Sequence, residues 1–233
     1  MQTATREAAG IDDVRPSAEL EAEVLRINLR FNVEVIEAFT VCPYARGSRN
    51  TGTSHRRVAW LRELDVEAFL AIVEDVEKDE TGEVAQVVLP LLRVSVEAFL
   101  EFAAEMGRRN AARKPGRPAF VHAAFHPELP YATDAAPRLV PFFRRSPDPT
   151  IQLVRLGVLD AIHEGKPRGT QFFDGPPEAI LKMLSEKPES VTDRITRENH
   201  ENALAGDLER IAAVVEDIAR DRQRSYARFG LVT

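Results

Sequence analysis

From Ser17 onward the apolar positions follow two different periods. Leu20, Val24, Ile27, Phe31, Val35 and Phe39 recur every three or four residues and define one stripe of a helix. Ser17 offers a side-chain oxygen to cap it, and Glu19 and Glu21 stand at its positive end. Phe31-Asn32-Val33-Glu34-Val35 alternates like a strand, but the longer pattern is helical and no turn residue interrupts it before Cys42-Pro43. Arg46 to Thr53 (RGSRNTGT) reads as a loop.

The pattern then repeats. Val66-Glu67-Ala68-Phe69-Leu70 recurs as Val96-Glu97-Ala98-Phe99-Leu100, each copy after a β-like run, Arg57–Leu61 and Val84–Leu89. Asp65 and Ser95 stand where helix caps belong. Val66, Phe69, Leu70, Val73 and Val76 make one helical face, and Val96, Phe99, Leu100, Ala103 and Met106 another. Ala119 to Phe125 reads as a third strand, ended by Pro127, which pushes His126 into extended backbone. Asp148-Pro149 resembles a helix start, continued by Ile151, Val154, Val158, Leu159 and Ile162. GTQFFD (169–174) fits a short edge strand, and a helix is expected from Pro177 to Glu186. A charged helical tail runs from about Thr192 to Phe229 with a stripe of Leu204, Leu208, Ile211, Val214, Val215 and Ile218.

These elements predict an α+β or α/β fold: a small three- to four-stranded sheet with packed helices and a long C-terminal helical extension. The expected organisation is a disordered N-terminus (1–16), a core domain (17–175) and the helical extension (176–233). Composition narrows the function classes. A net charge of −6 across 233 residues argues against general affinity for nucleic acid or anionic membrane. No apolar run approaches the ~20 residues of a membrane helix. The acidic N-terminal stretch lacks a signal peptide's apolar segment, and one cysteine excludes an intrachain disulfide framework. A cytoplasmic protein is the expectation.

Val41-Cys42-Pro43-Tyr44-Ala45, Phe125-His126-Pro127, Arg145-Ser146-Pro147-Asp148-Pro149 and Leu153-Val154-Arg155 occur in that order. Together they resemble a bacterial family catalogued as a domain of unknown function, number fourteen-fifteen in that series, whose pattern reads approximately L-C-P-F-A, F-H-P, N-R-S-P-Y-P and L-H-L-L-R. The resemblance spans about Leu25 to His163 and extends weakly to Arg194 onward. It implies a shared fold and brings no activity with it. This chain departs from the pattern at Leu89, Arg144, Asp148 and Gln152, where the family has His, Asn, Tyr and His. It also has His122 where the family tends to carry an apolar residue.

Candidate chemistry centres on Cys42, His126 and Arg145. Cys42 reads either as a small buried hydrophobe or as a functional thiol. A helix ending at Cys42 would oppose the thiolate, one beginning at Pro43 would favour it, and Arg46 and Arg49 would help if they fold back. Cys-Pro-Tyr-Ala also resembles a glutaredoxin motif without its second cysteine, which leaves thiol redox chemistry as one alternative. His126 ends a buried strand at its carboxyl end, a common ligand position, with Glu128 placed to orient the imidazole. His122 and His126 share one face of a strand but sit about 13 Å apart, too far to ligate one metal. Arg144 and Arg145 precede the expected helix start, where guanidinium groups and a helix N-terminus would hold an anion. Arg155 is a further anion contact or a structural partner for Asp148 or Glu128. The leading expectation is a small-molecule enzyme or ligand-binding protein: Arg145 binds an anionic group, His126 acts as general acid/base, and Cys42 is nucleophile or pocket wall. Glu128, His122 and Arg155 would complete the substrate contacts. No motif names a cofactor. The other alternative is assembly through the C-terminal helices.

Overall fold

The computed structural model describes residues 14–113, 119–164 and 190–231, with side chains to residue 160 in the second segment. The first helix, α1 (Ala18–Phe31), begins as its sequence dictates, with the Ser17 hydroxyl accepting the Leu20 N–H at 3.1 Å. It continues through a π-helical turn, Asn32–Glu37, which adds one residue to the turn and brings Asn32, Val35, Ile36 and Glu37 all inward. RGSRNTGT is not wholly loop: Ala45–Asn50 forms a short helix, α2. None of its residues is buried, so no apolar period could have announced it.

Four strands form one mixed sheet in the order β1-β2-β4-β3. They are β1 (Ser54–Val58), β2 (Val84–Val88), β3 (Phe120–Phe125) and β4 (Thr150–Arg155). β1 and β2 run parallel around the crossover helix α3 (Val66–Lys78), while β4 is antiparallel to both β2 and β3. Helix α4 (Val96–Arg113) links β2 to β3. The expected caps hold, Asp65 accepting the Ala68 N–H and Ser95 the Ala98 N–H. The first strand lies earlier than the Arg57–Leu61 run. It is an edge strand of half-buried polar residues, so its hydrophobic signal is weak.

The largest correction concerns Asp148-Pro149. No helix starts there. Pro149 precedes β4, where its carbonyl accepts the Leu89 N–H and its missing N–H costs no ladder bond. Ile151 and Leu153 alternate inward with strand period, and helix α6 (Leu156–Glu164) follows only afterwards. A four-residue helix, α5 (Ala136–Leu139), lies between β3 and β4.

Each face of the sheet has its own core. On one, α3 and α4 cover Ala85, Val87, Ile151, Leu153 and Phe120 through Phe69, Leu70, Phe99, Phe102 and Met106. On the other, α1 covers Val88 and Phe125 together with the C-terminal helices, α7 (Val191–Asn202) and α8 (Leu208–Ala227). The tail stripe is spent inside the chain: Ile211, Ile218 and Tyr226 are buried in the α1 core, whereas Leu204 is 58% exposed beside the left-handed Gly206. Arg26 and Arg30 of α1 close this seam on Asp221, at 2.7 Å each. The architecture is α+β. Val14, in the segment expected to be disordered, is buried in this core, while residues 1–13 and the stretch of the expected 169–174 strand and 177–186 helix lie outside the described residues.

Candidate functional site

The leading trio does not converge. Cys42 sits half-buried in the turn between α1 and α2, so no helix ends at it and none starts at Pro43. Its carbonyl accepts the Ala45 N–H, and its thiol makes no hydrogen bond to any described residue, His126 and Arg145 included. Arg46 and Arg49 fold back on Glu37, not on the cysteine.

His126 lies just past β3, at the edge where β1, β2 and β3 end, and that edge is filled by Leu89, Leu91 and Leu92. The ring is 4% exposed and packs 5.6 Å from the Phe99 ring. Its Nδ1 accepts the Glu128 backbone N–H at 3.2 Å, so the peptide of Glu128, not its carboxylate, orients the imidazole. With Nδ1 accepting, the neutral ring carries its proton on Nε2. Burial pushes the pKa below the ordinary histidine value, partly offset by the Val94 carbonyl and the charges of Glu128 and Glu97. Arg145 belongs to the same turn: its Nε–H donates to the Pro127 carbonyl at 2.8 Å and its guanidinium lies 5.8 Å from the Tyr131 ring centre. His126 and Arg145 are thus brought together as fasteners of the 126–129 turn. With no helix at Pro149, the helix-terminus part of the anion site falls away.

Arg155 ends β4 and donates to the carbonyls of Gly82, Glu77 and Asp79 at 2.6, 3.1 and 2.6 Å, with its guanidinium 4.8 Å from the Phe120 ring centre. It satisfies the end of α3 and the turn after it, and touches neither Asp148 nor Glu128. Asp148, read above as a helix cap, is 2% exposed and joins the C-terminal helix instead. It accepts from Arg222 Nε at 2.8 Å and from the Tyr226 hydroxyl at 2.7 Å.

A different pair of side chains meets in a cavity. β3 is an edge strand, and α4 crosses it without covering it fully. The resulting cavity of about 290 Å³ is walled by Leu100, Ala103, Ala124, Leu129 and Pro141, and its polar lining is His122 and Arg144. His122 points to the α4 face, opposite Leu153 in register. Its ring lies where a side chain on Gly107 would be: a Cβ there would fall 2.3 Å from His122 Cε1. His122 is an exposed residue whose ring lies against α4, and the burial of that inner side holds its pKa below the ordinary value. Arg144 is half-buried at the end of the Phe142–Arg144 turn, 6.0 Å from the Phe125 ring centre, and burial likewise lowers its pKa. Apart from the Phe125 ring, which faces the guanidinium, neither the guanidinium nor the imidazole has a hydrogen-bond or ion-pair partner among the described residues.

That is unusual for a desolvated cation, because burying charge without a partner is costly. At neutral pH the cavity carries one net positive charge beside a neutral donor–acceptor ring and an apolar wall. The sequence placed Arg144 beside Arg145 at an expected helix start, not in a cavity with His122. Only the position of α4 over an edge strand reveals otherwise.

A second polar layer lies on the α1 face. Arg56, Gln86, Gln152 and Ala123 stand in one register row across all four strands. Asn32 and Gln86 exchange two amide hydrogen bonds at 2.9 Å, Gln86 Nε2 reaches Gln152 at 3.2 Å, and Arg56 Nε donates to Asn28 at 3.1 Å. These amides escaped notice in the sequence because Asn28 and Asn32, four residues apart, sit beside the apolar stripe and look like its polar flank.

Among the described residues no cluster of three metal-type ligands occurs, and no helix is long and apolar enough to cross a membrane. The fold and cavity define an α+β protein with a small cationic pocket. No family model, curated protein or solved structure matches the chain. The family likeness therefore rests on its four short motifs.

Proposed function

We propose that this is a small-molecule-binding protein whose ligand is a monoanion with a short apolar body, held in the cavity between α4 and β3. The supporting observation is the convergence of two unpartnered polar side chains, His122 and Arg144, on one apolar cavity. Arg144 supplies the counter-charge in a fork suited to a carboxylate, and the His122 ring offers one further hydrogen bond. The cavity opens to solvent, and its volume equals that of about ten water molecules, room for the charged end and short apolar body of a ligand. A carboxylate on an aliphatic or aromatic stub fits this space. Read as a divergent member of the family it resembles, the chain has both polar groups at positions where the family pattern carries an apolar residue and an Asn. The anion contact is assigned to Arg144, since Arg145 Nε is committed to Pro127.

Calorimetric titration with a panel of short aliphatic and aromatic monocarboxylates tests the proposal. At least one should bind saturably, and Arg144→Gln should weaken it by about tenfold or more, the value of a charge-assisted hydrogen bond. Binding by none of the panel, or equal binding to the variant, would reject it.

A further inference from the structure

The segment that wraps the end of α1 carries an independent excess of positive charge. Glu37, at the last position of the π-helical turn, has a side chain 2% exposed. Arg49 grips it with two hydrogen bonds, Nε to Oε1 at 2.6 Å and Nη2 to Oε2 at 2.9 Å. Arg46 stands behind, its Nε 3.7 Å from Oε2 and its Nη2 3.5 Å from the Glu37 carbonyl. Arg56 approaches from β1. Its Nε is used by Asn28, and among the described residues Nη1 and Nη2 have no partner. Burial lowers the Arg56 pKa and repulsion from Arg49 adds to this, while attraction to Glu37 opposes it. One carboxylate therefore faces three guanidinium groups, leaving two positive charges.

The backbone here is also unusual. The π-helical turn is what carries Glu37 inward, and Thr40, three residues on, takes a left-handed φ of 53°. A β-branched residue rarely adopts that conformation, and such strain gathers at ligand sites and switches.

We propose that Arg46, Arg49 and Arg56 form a second anion site, on the opposite face of the sheet from the cavity, that takes a phosphate-sized dianion. Two unmatched charges call for a dianion, and a tetrahedral group offers oxygens to the N–H groups left over on Arg46, on the two Nη atoms of Arg56 and on Arg49 Nη1. A monocarboxylate would leave one cation unmatched. Glu37 stays in place as the anchor that holds Arg49 rigid.

The test is titration of the full chain with inorganic phosphate at low ionic strength and pH 7.5, followed by calorimetry and by the arginine Nε–Hε resonances. Saturable shifts at Arg46, Arg49 and Arg56 are expected, weakening steeply with added salt. Arg56→Gln should lower affinity about tenfold or more, and Arg144→Gln should leave it unchanged. Because Arg56 is half-buried and bonded to Asn28, Arg46→Gln provides a variant that keeps the fold: its side chain is 65% exposed, and it should cost a few-fold in affinity. Phosphate that leaves these three resonances unmoved would overturn the proposal. So would binding that Arg46→Gln leaves intact and Arg144→Gln abolishes, which would place the phosphate in the cavity.

Discussion

Replacing Tyr226 by Phe probes how the C-terminal helix is held on. The Tyr226 hydroxyl donates to buried Asp148 Oδ2 at 2.7 Å, while Arg222 holds Oδ1 through Nε at 2.8 Å and Nη2 at 2.7 Å. Phe keeps the ring in the α1 core and removes one hydrogen bond to a charged group, worth about 1.5–3 kcal/mol. For a chain of this length that lowers Tm by about 3–12 °C. Asp148→Asn is more damaging, because Arg222 is left charged and uncompensated; about 3–5 kcal/mol is expected, a large part of a typical stability of about 5–15 kcal/mol. The cluster also sets an alkaline limit. Burial first, and then the Asp148 carboxylate, push the Tyr226 pKa far above the ordinary tyrosine value. A group whose acid form is favoured by folding keeps its proton after the unfolded chain has lost it. Stability must therefore fall as pH rises above about 10, by at most about 1.4 kcal/mol per pH unit from this residue. Urea unfolding of wild type and Y226F between pH 7 and 11.5 measures both effects. Y226F should be less stable at pH 7, and the gap should close above pH 10. A gap under about 0.5 kcal/mol at pH 7, or one independent of pH, would refute the role given to the hydroxyl.

Three further outcomes follow from the same geometry. Asp221 is held well below the ordinary carboxylate range by its hydrogen bonds to Arg26 and then Arg30. Asp221→Asn should therefore cost about 1–3 kcal/mol at pH 7, with a gap that shrinks as pH falls below about 4; acid denaturation curves of the two proteins check this. His126 is held neutral by burial, so the stability it contributes is present above about pH 6.5 and lost as pH falls below it. His126→Gln should flatten stability measured from pH 7.5 to 5. Gly107→Ala should keep or slightly raise helix stability, by up to about 1 kcal/mol. The new methyl meets only the far end of the His122 ring and must swing it aside, so carboxylate binding should weaken without loss of Tm.

The strand–helix units were legible because caps and apolar stripes agree there: Asp65 and Ser95 cap as expected, and Phe69, Val73, Phe99 and Met106 are buried. β4 was not, since Asp148-Pro149 mimics a helix start and Ile151, Val154 and Val158 fit a helical spacing. What decides is tertiary: Asp148 is taken by Arg222, and Leu89 and Gly82 supply strand-edge partners for Pro149 and Arg155. The same local ambiguity hid the site. The sequence put His126 and Arg145 first, yet they fasten a turn, while His122, expected only as a further contact, and Arg144 share a cavity. Whether a charged side chain has a partner is a property of what folds over it, and periodicity carries no record of that.

The proposed binding function turns on Arg144 holding an anion. Benzoate and its neutral isostere benzamide, titrated into the full chain and followed by NMR, separate charge recognition from simple filling of an apolar cavity. The cavity predicts saturable shifts at Ala103, His122 and Ala124 with benzoate, at least about tenfold weaker binding of benzamide, and loss of that preference in Arg144→Gln. Binding should also tighten once pH falls below the ordinary histidine range and His122 gains a proton, because burial holds its pKa below the usual value. Equal affinity for benzoate and benzamide, or shifts confined to residues outside the cavity, would contradict it.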